Sequence, residues 1–246
     1  MDIKNIVNHM KIEWKLLLRE PWVWVKMFII MPINMFLPYY FMARAFNNEG
    51  AVYKITSTTL IWAYIYFTVF ESFLSKEKII HSKKLESLFM LPGAFFNWII
   101  GQTLAINLFY ATSFIFSGFL VFNLSNIKIT YIGIFILFII ALFTSLTFNI
   151  LIFSIQLIKR NFFHVFNISM DWIHILVGVL YPITLFPFMI KIISYLIPLT
   201  YALQFIRYYS LSDLIINIVL NFIYLLSSII ILRRSIGKYK NSGELY

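Results

Sequence analysis

Apolar residues at the start of the chain recur at three- and four-residue spacing: Ile3, Ile6, Val7, Met10, Trp14, Leu17 and Leu18. Lys4, Asn8, Lys11, Lys15 and Arg19 take most of the other side. This pattern predicts an amphipathic helix lying in a membrane interface with its apolar side down. Glu20-Pro21 ends it, because proline disfavours helical backbone at the residue before it. Charges run throughout this segment and no small-residue cleavage site follows, so it does not read as a cleaved signal peptide.

Past Pro21 the periodicity gives way to long apolar runs. A hydrocarbon core about 30 Å thick needs roughly 20 apolar residues in a helix. By that measure six spans are expected, over 22–43, 54–75, 95–122, 129–158, 166–187 and 212–232. The third and fourth runs exceed the requirement, which predicts tilt or extension past the bilayer. Pro32 and Pro38 interrupt the first, as a membrane helix allows when neighbouring groups satisfy the freed carbonyls. Pro182, Pro187 and Pro198 crowd the apolar stretch 181–209. A span ending near Pro187, followed by a short re-entrant hairpin in the outer leaflet, accommodates them best. The expected fold is an all-α polytopic membrane protein: an interfacial helix over 1–20, then a six-span domain over 21–246.

Composition strengthens this reading. The 246 residues are 61% hydrophobic and 12% charged, with a mean hydropathy of +0.85. Ordinary soluble domains carry about a quarter charged residues, and a chain this apolar lacks the polar surface to stay in water. There is no cysteine, which excludes disulfides, thiolate nucleophiles and cysteine metal sites. The net charge of +10 does not point to nucleic acid, because the basic residues fall in short clusters between apolar runs. There they would meet anionic head groups and set topology. With the N-terminus inside, the inner segments hold Lys4, Lys11, Lys15, Arg19, Lys26, Lys76, Lys78, Lys83, Lys84, Lys159, Arg160, Arg233, Arg234, Lys238 and Lys240. The outer ones hold only Arg44, Lys54, Lys128, Lys191 and Arg207. Both termini are therefore expected in the cytoplasm. Richness in Lys, Asn, Ile and Phe fits AT-rich codons, hence the cytoplasmic membrane of a low-GC bacterium.

Few residues suggest chemistry. Asp171 and His174 lie one helical turn apart, but a metal site needs three or four ligands. A structural pair or interface anchor is the leading reading, a pathway role the alternative. Glu71, inside the second span, either pairs with a lysine or lines a pathway. Arg207, beside Tyr208 and Tyr209, reads as an interfacial anchor at the outer surface, with an extracellular gate as the alternative. Trp22, Trp24, Trp62, Trp98 and Trp172 suit aromatic belts. No set of nucleophile, base and oxyanion donors is visible, so the chain does not read as an enzyme. Between spans two and three, Leu85, Leu88 and Phe89 would line one side of a short helix, with Lys83, Lys84 and Glu86 around it. Pro92-Gly93 would stop it. Such a helix could float in the interface or dock on a partner protein.

The run Leu85-Glu86-Ser87-Leu88-Phe89-Met90-Leu91-Pro92, with Gly101 nine residues later, resembles the cytoplasmic motif of type-2 ATP-binding-cassette (ABC) exporter permeases. Lys83-Lys84 stand where that family usually has Gly-Thr. The family's second signature, a proline-rich outer segment closing on Pro-Leu-Thr-Tyr-Ala and an arginine, is similar to Pro198-Leu199-Thr200-Tyr201-Ala202 with Arg207. The resemblance implies that Lys83, Lys84, Leu85, Glu86, Leu88, Phe89 and Pro92 belong to a coupling helix seated in a cytoplasmic ATPase. It implies that the N-terminal helix, with Lys11, Trp14, Lys15 and Arg19, supports the ATPase interface. Glu71, Asp171, His174, Pro198, Tyr201 and Arg207 become pathway or gate candidates. The chain has no G-x-x-x-x-G-K-[ST] phosphate loop, so ATP and Mg would be bound by a separate ATPase subunit, in two copies. Six spans are half of the permease set usual in that family, so the resemblance also implies a second permease chain, identical or not, with membrane lipid as the remaining partner.

The expected function is a permease subunit that couples ATP hydrolysis in its partner to outward movement of an amphipathic or hydrophobic substrate, a peptide, toxin or drug. The alternatives are an ABC permease for peptide immunity or for a lipid or polymer, and an ion-driven secondary transporter. The last would usually have more spans and broken helices in both halves.

Overall fold

The computed structural model describes residues 3–37, 41, 45, 49–80, 88, 94–124, 131–158 and 162–241, and among these every regular element is helical. The elements are α1 (Ile3–Arg19), α2 (Pro21–Val25), a π-helical stretch (Lys26–Phe36), α3 (Glu49–Ile80), α4 (Ala94–Leu124) and α5 (Tyr131–Gln156). They continue with α6 (Phe163–Leu176), a 3₁₀ turn (Ile183–Leu185), α7 (Phe188–Leu196), α8 (Pro198–Tyr208) and α9 (Leu211–Asn241).

Among the described residues, three helical segments are long and apolar enough to cross a membrane: Phe95–Leu120, Phe135–Gln156 and Leu211–Lys238. The count rises to four if α7 and α8, which meet at 101°, form one broken span. These segments match the third, fourth and sixth expected runs. Helix α3 covers the second but is less apolar, and its position explains why. It packs against α4, α5, α8 and the π-helical stretch, so protein rather than lipid surrounds its middle. Thr56, Ser57, Thr58 and Thr59 are all buried there. Thr58 and Thr59 return their hydroxyls to the carbonyls of Lys54 and Ile55, and Thr68 to that of Tyr64.

The first and fifth expected runs differ from single straight helices. The first is wound as α2 and then as a π-helix over Lys26–Phe36, which includes Pro32, a residue with no backbone N–H to give to a regular α-ladder. The fifth was expected as one helix over 166–187, but α6 stops at Leu176. Gly178 follows at φ +72°, and a Cβ there would lie 2.6 Å from the Tyr181 carbonyl oxygen. Only glycine suits that turn.

Helix α1 exists as expected, but it is docked on protein. It lies along α4 and buries Ile6, Glu13 and Leu17, while Ile3, Ile12, Leu16 and Leu18 are exposed. Phe73 of α3 stacks on Phe166 of α6 at 4.3 Å, at the heart of the main core. A second cluster joins Ile80, Phe95, Trp98, Ile99, Phe153, Leu157 and Leu232, and Leu88 packs against it. Two of the tryptophans expected in aromatic belts lie elsewhere. Trp22, Trp24 and Trp172 are exposed, whereas Trp62 and Trp98 are core residues.

Candidate functional site

Polar residues of α3 at positions 64, 68, 71, 72, 75 and 76 repeat at helical spacing, which places them along one side. Thr103, Asn107 and Tyr110 do the same on α4. The two stripes meet inside the bundle, joined by Ser145 from α5 and Glu13 from α1.

At one end of this seam α1 is latched. The Glu13 carboxylate accepts hydrogen bonds from Ser75 Oγ at 3.0 Å and Gln102 Nε2 at 3.2 Å. Gln102 Nε2 also lies 2.6 Å from Ser75 Oγ. One turn on, the Trp14 indole donates to the Ala105 carbonyl at 3.1 Å. Such contact needs a close approach of backbones, and Gly101 allows it. A Cβ at position 101 would lie 2.7 Å from the Ile6 carbonyl oxygen and 2.8 Å from His9 Cβ. Beside the latch, Lys76 is fully enclosed; its ammonium donates to Thr103 Oγ1 at 3.0 Å and sits 5.0 Å from the centre of the Phe153 ring.

Further along, Glu71 pairs with Lys26 at 3.4 Å and accepts from the Tyr110 hydroxyl at 3.5 Å. This is the lysine partner that the sequence left open for Glu71. The pair ties the π-helical stretch to α3 and α4. Deeper still, the Tyr64 hydroxyl donates to the Asn107 carbonyl at 2.9 Å, and Ser145 Oγ donates to Asn107 Oδ1 at 2.6 Å. Thr68 and Ser145 share a 2.6 Å hydroxyl contact. Side-chain hydrogen bonds of this kind hold helices together where lipid offers no competing partner. These hydrogen bonds join α1, α3, α4 and α5 to one another along the seam.

Lys26→Met should leave the buried Glu71 carboxylate without its cation. The pair is half open on the lysine side, so the expected loss lies between those of surface and buried pairs, roughly 1–3 kcal/mol. The double variant Lys26→Met/Glu71→Gln should recover part of it. Thermal unfolding of the detergent-solubilised protein measures both; equal losses in the two would show that the pair itself contributes little.

A second polar centre lies at the α6–α8 region. Arg207 is buried, and its guanidinium donates to the Val179 carbonyl at 2.6 Å and the Tyr181 carbonyl at 3.1 Å. Thr58 of α3 also donates to the Val179 carbonyl, at 2.9 Å. Arg207 is therefore not an exposed interfacial anchor: it fills the turn where α6 gives way, because those carbonyls have no helical partner. The bend between α7 and α8 is fixed in the same manner. Thr200 Oγ1 donates to the Ser194 carbonyl at 2.6 Å, and Asn217 Nδ2 to the Pro198 carbonyl at 2.7 Å. Pro198 is buried, and Tyr201 is half-buried with its ring 5.7 Å from that of Tyr195. Tyr209, at φ 53°, closes α8 in the left-handed region.

The remaining candidates scatter. Lys83, Lys84, Leu85, Glu86, Phe89 and Pro92 lie outside the described residues; Leu88 is helical and half-buried. Lys11, Lys15 and Arg19 are exposed on α1. Asp171 is exposed, while His174 stacks on Trp62 with ring centres 5.2 Å apart. The structure therefore brings Glu71 into the α3–α4 seam and brings Pro198 and Arg207 into the bend, but keeps Asp171 and His174 apart from both. Sequence reasoning missed Glu13, Ser75, Lys76, Gln102, Thr103, Asn107 and Ser145. The helical repeat of polar positions within an apolar run was the signal available for those on α3 and α4. No family model, curated protein or solved structure matches this chain.

Proposed function

We propose that the chain is the membrane subunit of an ABC exporter, with six membrane passes and both termini in the cytoplasm. ATP hydrolysis in a separate ATPase pair would drive outward movement of an amphipathic or hydrophobic substrate such as a peptide, toxin or drug. The observation that carries the reading is the latch of α1 on α3 and α4. Those two helices flank the segment 81–93, where the coupling motif lies. A push on that segment would be passed into both helices and, through Glu13, Trp14 and Gly101, into α1. Rigid, hydrogen-bonded connections are what a lever across a bilayer interface requires.

The bend at Ile197 and the Arg207 turn supply the second part of the reading. They would form the re-entrant outer hairpin, sheltered by protein on its inner side. Ser72 Oγ and Gln102 Oε1 are buried with no hydrogen-bond partner among the described residues, so the bundle keeps polar capacity for a water or a substrate group.

The test is transport in vesicles containing this chain and its co-expressed ATPase, with a fluorescent amphipathic peptide as the probe. ATP-dependent movement that ignores a collapsed ion gradient supports the proposal. Movement driven by an ion gradient in the absence of ATP would make the chain a secondary carrier instead.

A further inference from the structure

Among the described residues, helices α4, α5 and α9 contain membrane-length apolar segments, and a groove of about 570 Å³ lies among them. That volume falls within the roughly 300–1,000 Å³ typical of small-molecule sites. One end is lined by Phe96, Asn97 and Arg233, the other by Leu104, Leu146 and Leu225. From Leu225 to Arg233 the groove follows two turns of α9, about 12 Å at the helical rise of 1.5 Å per residue. Its wall is almost wholly hydrocarbon, and its one charged residue is a cation.

Two features separate this groove from an ordinary lipid-facing crevice. First, its polarity is ordered along its length, apolar at the Leu225 end and cationic at the Arg233 end. Arg233 is exposed and forms no ion pair among the described residues. Second, the groove is pre-formed. Ser154 Oγ donates to the Ser228 carbonyl at 3.1 Å, and Ser235 Oγ to the Ser154 carbonyl at 2.9 Å, so α9 is fixed to α5 along the groove wall. We propose that this groove holds one acyl chain of an anionic phospholipid, with the lipid phosphate against Arg233. A guanidinium matches a phosphate in both charge and fork geometry, and the apolar slot behind it takes the chain. The supply is the leaflet itself, because the groove lies among helices that are built to sit in lipid. The proposal does not depend on the transport reading.

The test uses the full chain, purified in mild detergent and exchanged into nanodiscs of phosphatidylglycerol and phosphatidylcholine in equal amounts, with retained lipid counted by native mass spectrometry. One phosphatidylglycerol per chain should remain in preference to phosphatidylcholine. Arg233→Gln should lower its retention roughly tenfold, the scale of one lost charge-assisted contact, and the neighbouring Arg234→Gln should not. Leu225→Trp, which fills the far end of the groove, should displace the lipid while leaving the charge intact. Thermal unfolding of each variant in lipid-free detergent keeps folding defects apart from binding defects. Equal retention of the two lipids, equal loss in Arg233→Gln and Arg234→Gln, or full retention in a folded Leu225→Trp variant would each overturn the proposal.

Discussion

Gly101→Leu is expected to release α1 from the bundle. Even a methyl group at this position would meet the Ile6 carbonyl oxygen at 2.7 Å, and backbone cannot step aside as a flexible side-chain tip can. The larger side chain must therefore lift α1 off α4. Overpacking of this kind costs about 1–3 kcal/mol, and separation of the helices also strands the Glu13 and Trp14 hydrogen bonds. A drop in Tm of about 5–10 °C follows from the usual sensitivity of chains this size. A more specific readout is tryptic cleavage at Lys11 and Lys15, which face outward on a helix held along its other side. Cleavage should accelerate in Gly101→Leu and, to a smaller extent, in Glu13→Leu. Unchanged protection in both variants would mean that α1 is held by something other than this contact.

Arg207→Met is expected to produce the second large loss. Two hydrogen bonds from a charged donor disappear, and the Tyr181 carbonyl loses its guanidinium partner; the Val179 carbonyl keeps only the Thr58 hydroxyl. Bonds to charged groups contribute about 1.5–3 kcal/mol each, so a net loss of roughly 2–4 kcal/mol is reasonable. Arg207→Lys should lie between wild type and Arg207→Met, because a single ammonium cannot span the two carbonyls as the planar fork does. Thermal unfolding separates the three proteins. If Arg207→Met unfolds with the wild type, the turn after α6 is held without Arg207.

These two positions also show how much was legible beforehand. The helices themselves were readable, because bilayer-length apolar runs leave few alternatives, and α4, α5 and α9 lie where the runs place them. The break after Leu176 was not, because Ile175, Leu176 and Val177 continue the apolar pattern and the turn depends on Gly178 and on an arginine 29 residues later. Arg207 read as an anchor because a charge beside two tyrosines usually faces water. Its actual partners are backbone carbonyls, which no sequence pattern displays. Glu13 was overlooked for a related reason. It interrupts neither the apolar nor the basic side of α1 clearly, and its importance arises from Ser75 and Gln102, which are distant in the chain. Glu71 could be read as paired, but not with which lysine, since Lys26 lies 45 residues away.

In the transport reading, the segment 81–93 would carry the coupling motif, and in the sequence it joins the two helices that hold the latch. The most direct test of the transport reading is affinity purification of the tagged full chain from native membranes in a gentle detergent or in nanodiscs. ATPase activity is assayed in the wild type and in Glu86→Lys. The account predicts that a Walker-motif subunit co-purifies with the wild type and that Glu86→Lys releases it or uncouples its hydrolysis. If no ATPase accompanies a well-folded wild-type chain, or if Glu86→Lys changes neither binding nor hydrolysis, the exporter assignment is contradicted.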